Sequence, residues 1–196
     1  MKDLLIFLAD GFEEIEALTL CDYLKRANLE VDLVSIMTDR HKVKGAHDIL
    51  VVADKHIDEI NIKDYRGIYI PGGLPGATNL AGDNRVVEMV KMFQNSEDRF
   101  VAAICAGPIV FDKAGILKEG KYTCYPGFEK NLQTKGNLDA PTVIEDNMFT
   151  GMGPSFAQVL SFELIKYLKD EKTAEDVKKD VLFDKLVDFI KEDIVK

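Results

Sequence analysis

Short apolar runs that alternate with longer amphipathic segments constrain the fold of this chain more than any other feature. The runs are apolar almost throughout: LLIFLA (4–9), EVDLVSI (30–36), GIYIPGG (67–73) and FVAAIC (100–105). Such runs are typical of parallel strands that are covered on both faces. Segments 13–29 and 86–93 lie between them and repeat apolar residues at helical spacing. The alternation predicts a doubly wound α/β fold with a mostly parallel sheet and helices on both faces.

The rest of the chain extends this pattern. Further strands are predicted at 48–54, 121–126 and 141–150, and further helices at 106–117 and 155–168. The sequence after Leu168 is charged, yet it contains an apolar stripe at helical spacing, made of Val181, Leu182, Leu186, Phe189 and Ile190. We therefore expect one α/β domain over residues 1–170, with a C-terminal helical extension over 171–196 that packs on it.

Composition excludes several classes of protein. The formal net charge of −9 has the wrong sign for binding nucleic acid. No apolar run approaches the roughly 20 residues that span a bilayer, and the first one, Leu4 to Ala9, reads as a strand rather than a signal peptide. The three cysteines are an odd set without CxxC spacing, which favours a reducing, cytoplasmic setting over a disulfide framework.

Four distinctive segments follow predicted strands. They are DGFEEIE (10–16), PGGLPG (71–76), Cys105 with Ala-Gly-Pro, and Tyr125-Pro126-Gly127. In open α/β sheets, ligands bind beyond the carboxyl ends of the strands. We therefore expect these segments to meet at one edge of the sheet and to form the site.

Cys105 comes directly between a strand and a helix. A tight turn of this kind exposes a nucleophile, and the start of the helix favours the thiolate. The alternative is that the cysteine simply packs as a small apolar residue. The Pro-Gly-Gly segment is either a plain turn or, through the N–H of Gly73 together with that of Ala106, an oxyanion hole. It matches neither a dinucleotide-binding nor a P-loop motif, and we predict no cofactor.

The ionisable residues leave the choice of a base open. Glu13, Glu14 and Glu16 fall in the first turn of a helix, where acids also occur simply because they complement the helix dipole. The histidines, at positions 41, 47 and 56, all precede Cys105, so no downstream Cys–His pair is indicated. No metal site is predicted.

Four of these motifs together resemble the ThiJ/PfpI family, on the branch of the Parkinson-disease protein deglycase. The motifs are GFEEIEA (11–17), PGGLPGATNL (71–80), AAICAGP (102–108) and TCYPGFE (123–129), and the similarity extends from Lys2 to about Lys178. The resemblance implies a flavodoxin-like sandwich, a homodimer and an activity that needs no cofactor.

The resemblance also implies roles for particular residues. Cys105 is similar to the family's reactive cysteine and Glu16 to the acid that hydrogen-bonds it. Backbone donors around the sulfur fall at Gly72, Gly73 and Ala106. The remaining positions that line the site are Tyr125, Pro126, His47 and Arg26, of which Arg26 reaches the site across the dimer interface in relatives.

This sequence departs from the family pattern at three places. Tyr125 stands where many relatives carry histidine, and a phenol is a poor general base at neutral pH. His47 and Met152 stand where animal members have arginine. We therefore expect slow turnover and no distal anion pocket.

Two functions follow as expectations. The first is chemistry of the glyoxalase III or deglycase type, in which Cys105 attacks a small reactive carbonyl such as methylglyoxal. The second is a redox sensor or chaperone-like protein with little turnover, whose Cys105 oxidises to sulfinic acid; Cys124 is a weaker candidate for a resolving thiol. A peptidase is less well supported because Ala106 stands where the peptidase-like branch has histidine.

Overall fold

The computed structural model describes residues 1–194. Its strands are β1 (Lys2–Leu8), β2 (Val31–Ser35), β3 (Lys42–Lys44), β4 (Leu50–Val52), β5 (Lys55–His56), β6 (Tyr65–Ile70), β7 (Phe100–Ile104), β8 (Thr142–Glu145) and β9 (Met148–Gly151). The helices are α1 (Glu14–Arg26), α2 (Gly76–Gly82), α3 (Asn84–Gln94), α4 (Pro108–Ala114), α5 (Ala157–Leu168), α6 (Glu171–Asp180) and α7 (Phe183–Phe189), followed by a π-helical turn at Ile190–Ile194.

A seven-stranded sheet forms the centre of the molecule, with the strand order β5-β2-β1-β6-β7-β9-β8. All neighbouring strands are parallel except β8, which pairs antiparallel with β9 at one edge. Helices and apolar clusters cover both faces of this sheet. The predicted flavodoxin-like, doubly wound and mostly parallel fold in one domain is confirmed.

Parallel pairing explains why the central strands are apolar on both sides. Residues 4–8 of β1 and 100–104 of β7 are almost completely buried. One cluster contains side chains of α1 and α5, and the other contains side chains of α3 and α4. Because both faces of each strand lie against helices, no polar alternation is needed.

The strand predicted at 121–126 is wrong. The segment carries buried Tyr122 and Cys124, but it forms no strand. The position next to β7 is taken by β9, so the segment passes across the strand ends, and the Thr123 N–H bonds to the Thr150 hydroxyl at 2.9 Å. Apolar content alone does not reveal which segment will pair.

Two other strand predictions need correction. The segment 141–150 forms two strands rather than one, because the chain reverses at Asp146 and Asn147, where Asp146 has a φ of 53°. The segment 48–54 contributes β4, which pairs with β3 in a separate hairpin instead of entering the main sheet. Leu50 and Val52 are more than half exposed on that hairpin, at 56% and 62%.

The segment after residue 170 forms α6 and α7. Ala174 and Val177 of α6 are buried, and the ring of Phe183 lies edge-on to Phe162 of α5 with 5.0 Å between centroids. Leu186 and Phe189, from the predicted apolar stripe, are instead about half exposed. The extent of the packed extension therefore stays a prediction, and residues 195 and 196 lie outside the described part of the chain.

No helix within residues 1–194 combines the length and the apolar character that are needed to cross a bilayer.

We predict that Gly67 in β6 tolerates no side chain. A Cβ at this position would overlap the ring of Phe100, the register partner of Gly67, and that ring is buried in the core. Gly67→Ala should lower the free energy of unfolding by about 1–3 kcal/mol through overpacking. Urea denaturation followed by circular dichroism measures the change.

Gly82→Ala is the matched control, because a Cβ at Gly82 meets no atom within 4 Å. It should leave stability unchanged or raise it slightly. Equal destabilisation by the two substitutions would contradict the overpacking argument.

Candidate active site

Glu16 is fixed in place by the start of α1. Glu13 is the N-cap residue, and its Oε2 accepts the Glu16 N–H at 2.7 Å. The hydroxyl of Tyr69, on β6, donates to the Glu16 carbonyl at 3.1 Å. Glu16 is fully buried, so its carboxyl is held under the strand ends rather than free in solvent.

The loop after β6 lies between Glu16 and the cysteine. The Gly72 N–H donates to Glu16 Oε2 at 2.7 Å, and the Gly72 carbonyl accepts the Glu13 N–H at 2.9 Å. A Cβ at Gly72 would lie 2.7 Å from both the Cys105 Cβ and Glu16 Oε2, which is closer than real side chains approach. Only glycine at position 72 lets Cys105 and Glu16 lie this close to each other.

Cys105 occupies the turn between β7 and α4 in a left-handed backbone conformation, with a φ of 60°. Few residues other than glycine adopt this conformation, and it carries strain that the surroundings must hold. The Cys105 N–H donates to the Gly151 carbonyl, and its own carbonyl accepts the Tyr125 N–H, each at 3.0 Å. These bonds on both sides hold the strained turn, and the side chain is partly exposed.

The sulfur of Cys105 has three polar neighbours. The Glu16 carboxyl and the N–H groups of Gly73 and Ala106 all lie close enough to it to shift its pKa. The structure therefore brings Cys105, Glu16, Gly72, Gly73 and Ala106 together at the predicted edge of the sheet.

The ionisation of Glu16 and Cys105 is coupled. Burial raises the pKa of Glu16 to about 7, against the effect of the Gly72 N–H. Burial, followed by the charge of Glu16, raises the pKa of the Cys105 thiol, while the Ala106 and Gly73 N–H groups lower it. Because each anion destabilises the other, the pair is most stable with a single negative charge.

If Glu16 is ionised, its carboxylate has too few hydrogen-bond donors around it. Oε2 accepts from Gly72, but Oε1 has no hydrogen-bond partner within the described residues. A buried carboxylate with so few donors is costly, and protonation turns the carboxyl into a donor.

Tyr125 and Pro126 line a cavity of about 380 Å³ beside the cysteine turn, together with Met152, Gly153, Pro154, Ser155 and Phe156. Tyr125 is 47% exposed, and its ring stands edge-on to Phe128 at 6.3 Å between centroids. The two predicted lining residues therefore belong to an open cavity that adjoins the turn.

Among the described contacts, His47 meets Glu14 rather than the Cys105 sulfur. Its Nδ1 lies 2.8 Å from Glu14 Oε2, and its backbone N–H donates to Glu14 Oε1 at 2.8 Å. The hydrogen bond and charge of Glu14 raise the pKa of His47. One ligand atom each from Glu13, Glu14 and His47 lies within 4.8 Å of the others, which is a spacing that could hold a metal ion. The absence of a metal site stays a prediction.

Arg26 is remote from the cysteine in the single chain. It lies in the last turn of α1, ten residues beyond Glu16, which corresponds to about 15 Å of helix. Its Nε donates to Asp22 at 2.6 Å. Arg26 therefore does not line the site within one chain, and its predicted contribution across a homodimer interface stays a prediction.

The other candidate partners of Cys105 are also separated from it. His41 contacts Ala53 and Glu59, and His56 contacts residues of its own turn, so among the described contacts no imidazole meets the sulfur. Cys124 is fully buried in the apolar cluster that contains Phe111, whereas Cys105 packs against the other cluster. This placement argues against Cys124 as a resolving thiol.

The roles of Glu13 and Tyr69 in holding Glu16 were not predicted from the sequence. The spacing of Glu13 and Glu16 is that of an N-cap and its third helical residue, and this signal could have identified the cap. The role of Tyr69 carries no such signal, because its hydroxyl meets Glu16 only through the packing of α1 on β6.

The chain is similar to known proteins in both sequence and structure. The DJ-1/PfpI family model matches residues 2–167. The Glutathione-independent glyoxalase DJ-1 of Schizosaccharomyces pombe is 30% identical over 184 residues, covering 89% of this chain and 96% of that protein. The Deglycase PH1704 of Pyrococcus horikoshii is 30% identical over 167 residues, covering 84% and 98%.

One relative is much longer. The Protein DJ-1 homolog B of Arabidopsis thaliana is 32% identical over 164 residues, which cover 83% of this chain but only 37% of that protein. This chain therefore spans little more than a third of that relative.

Solved structures agree with the sequence relatives. Schizosaccharomyces pombe DJ-1 superposes with a TM-score of 0.84 at 28% identity, covering 92% of this chain and 98% of that one. Oxidized Toxoplasma gondii DJ-1 gives 0.84 at 30% identity, covering 93% and 98%. With the family model matching most of its length, this chain belongs to the DJ-1/PfpI family.

Proposed function

We propose that this protein converts small α-oxoaldehydes to 2-hydroxy acids without a cofactor, with Cys105 as nucleophile and Glu16 as acid and base. The observation that supports it most strongly is that Cys105 is partly exposed while its sulfur lies beside a buried carboxyl and two backbone N–H groups. Relatives named a glyoxalase and a deglycase, each 30% identical, support this class of chemistry.

The reactive form of the pair is a thiolate that faces a protonated carboxyl. The sulfur has two backbone donors, from Gly73 and Ala106, whereas the Glu16 carboxylate has only the Gly72 N–H as a backbone donor within the described residues. These donors stabilise the thiolate form of the pair, against the burial and the Glu16 charge that raise the pKa of the thiol. In this state Glu16 donates its hydrogen bond to the sulfur.

The first step is addition to the aldehyde. The sulfur forms a bond to the aldehyde carbon, the C=O π electrons move to oxygen, and Glu16 gives its proton to that oxygen. The product is a hemithioacetal, and Glu16 is left as a carboxylate. The N–H groups of Gly73 and Ala106 stabilise the developing oxyanion.

The second step is an internal redox exchange. The Glu16 carboxylate takes the proton from the former aldehyde carbon, the electron pair moves to the ketone oxygen, which gains a proton, and an enediol forms. Glu16 then returns its proton to the former ketone carbon, while the hydroxyl on the first carbon loses a proton and becomes the thioester carbonyl, so the proton gained by one oxygen equals the proton lost by the other. The first carbon is oxidised by two electrons and the second is reduced by two, so no external oxidant or reductant is required. Water then cleaves the resulting thioester, which releases the hydroxy acid and restores Cys105.

We predict that purified protein consumes methylglyoxal slowly and that the activity depends on both residues. Slow turnover is expected because no imidazole contacts Cys105 among the described contacts to assist the water. Cys105→Ser should abolish activity, and Glu16→Gln should lower kcat by about 10²–10⁴-fold, the usual contribution of a general base. Lactate formation, measured by chromatography, reports the rate.

Cys21→Ala is the control for loss of a cysteine, since Cys21 lies buried in α1 away from the site. It should retain the wild-type rate. Full activity in Cys105→Ser, or no consumption of methylglyoxal by the wild type, would overturn the proposal.

We predict that Glu16→Gln lowers the pKa of the Cys105 thiol. The carboxylate charge raises that pKa in the wild type, and the neutral amide removes the repulsion while the two backbone donors remain. The pH dependence of alkylation by iodoacetamide, followed at Cys105 by mass spectrometry, measures the shift. An unchanged titration in Glu16→Gln would show that the two groups are not coupled.

A second function, oxidation sensing, is favoured by the exposure of the cysteines. Burial raises the pKa of all three thiols, but Cys105 is partly exposed whereas Cys21 and Cys124 are buried. Thiolate character and access decide which cysteine oxidises first. The Glu16 proton would then donate to an oxygen of the sulfinic acid.

We predict that mild peroxide converts Cys105 to sulfinic acid before the other cysteines react. Intact-mass and peptide mass spectrometry should locate the added oxygens at Cys105, and Glu16→Gln should change the yield of sulfinic acid relative to sulfonic acid. Oxidation that began at Cys21 or Cys124 would exclude the sensing role.

A further inference from the structure

We propose that Glu13, Glu14 and His47 form a site for a divalent transition-metal ion of the Zn²⁺ type, separate from the cysteine site. One ligand atom from each residue lies within 4.8 Å of the other two. Both carboxylates are buried, whereas the imidazole is largely exposed. This site departs from the sequence-based expectation that the chain holds no metal, and it does not depend on the proposed chemistry at Cys105.

The spacing of the three groups suits a small ion. In zinc sites the bonds to imidazole nitrogen and carboxylate oxygen are about 2.0–2.2 Å long, so that neighbouring ligand atoms lie roughly 3.4 Å apart. His47 Nδ1 is 2.8 Å from Glu14 Oε2 and 4.0 Å from Glu13 Oε1, on either side of this value. Because the side chain of His47 is 69% exposed, a small movement of its ring completes the geometry.

The hairpin loop that carries His47 is fixed on the start of α1. The Ala46 N–H donates to the Phe12 carbonyl at 2.8 Å, and the His47 N–H donates to Glu14 Oε1, also at 2.8 Å. A Cβ at Gly45 would overlap the Glu14 carboxyl, so glycine at this position lets the loop close around that carboxylate. These bonds hold the ligands near each other before an ion arrives, and such preorganisation lowers the cost of binding.

The charges around the three ligands favour a cation. Two buried carboxylates that lie beside each other repel. The cap bond to Glu16 uses Glu13 Oε2, and Oε1 has no hydrogen-bond donor among the side chains of residues 1–194. Lys44, on the same hairpin, pairs with Asp48 at 2.7 Å instead of with these carboxylates. A divalent ion would therefore supply positive charge that a single imidazole only partly provides.

Binding exchanges a proton for the ion. His47 Nδ1 releases to water the proton that it shares with Glu14 Oε2, and the nitrogen lone pair and one oxygen of each carboxylate then coordinate the metal. Water from the exposed side fills the remaining position, as in other sites with three protein ligands. The imidazole ligand favours Zn²⁺ and related transition metals over Mg²⁺ and Ca²⁺, which prefer oxygen ligands.

Isothermal titration calorimetry of the full chain with zinc chloride tests the site. The wild type should bind Zn²⁺, and His47→Ala should weaken the affinity roughly tenfold or more. The ring of His47 is exposed, so its removal leaves the core intact. Glu13→Gln should weaken binding in the same way, although its amide oxygen can still cap α1. Magnesium chloride should give no comparable binding.

His41→Ala is the matched control for the loss of a histidine, because His41 pairs with Glu59 and lies outside the three ligands. Cys105→Ser is the control for a metal bound by the thiolate. Both variants should keep the wild-type affinity for Zn²⁺. Since Cys105→Ser lacks the proposed nucleophile, the metal site and the proposed function succeed or fail independently.

Thermal unfolding gives a second readout. An ion that binds only the folded chain raises the midpoint of unfolding. Zn²⁺ should therefore raise the midpoint in the wild type, His41→Ala and Cys105→Ser, but not in His47→Ala. Equal affinity in the wild type and His47→Ala, loss of binding in Cys105→Ser, or Mg²⁺ binding as tight as that of Zn²⁺ would overturn the proposal.

Discussion

The contact between the Glu16 carboxyl and the Cys105 sulfur is the interaction on which the site depends. It places an acid from the first turn of α1 beside a cysteine from the turn after β7, with the Gly72 backbone between them. Neither group is a conventional catalyst alone. Burial pushes both pKa values up, and the shared proton makes the pair stable with one charge.

This contact requires a rigid surrounding structure. Glu13 caps α1, Tyr69 holds the Glu16 carbonyl, and the main chain of Cys105 is bonded on both sides in a strained conformation. A buried acid and a left-handed cysteine each cost free energy, which the packed sheet and helices must offset. The same rigidity supports either proposed role, since carbonyl addition and selective oxidation both need an accessible, poised sulfur.

The sequence predicted most of the architecture and the central members of the site. Apolar runs identified β1, β2, β6 and β7, and the rule that ligands bind at the carboxyl ends of parallel strands selected the segments that meet around Cys105. The strand predicted at 121–126 does not form, and 48–54 contributes β4 to a separate hairpin rather than to the main sheet, because strand pairing depends on which neighbour occupies an edge. Arg26 was assigned to the site only from the family resemblance. It lies in the last turn of α1 and Glu16 in the first, so Arg26 is remote from the site in the single chain.

What the sequence determined by itself was the class of fold, the cysteine at the end of a strand and the acids that open the first helix. These follow from local patterns of apolar, acidic and turn residues. Local patterns did not distinguish Glu16 from Glu13 and Glu14; the family resemblance singled it out, and the tertiary structure places it beside the sulfur. Only the tertiary structure decided that His47 pairs with Glu14 and that a cavity without charged side chains adjoins the turn. The physical reason is that proximity, burial and the hydrogen bonds of a carboxyl arise from residues far apart in the chain, and they exist only once the sheet has assembled.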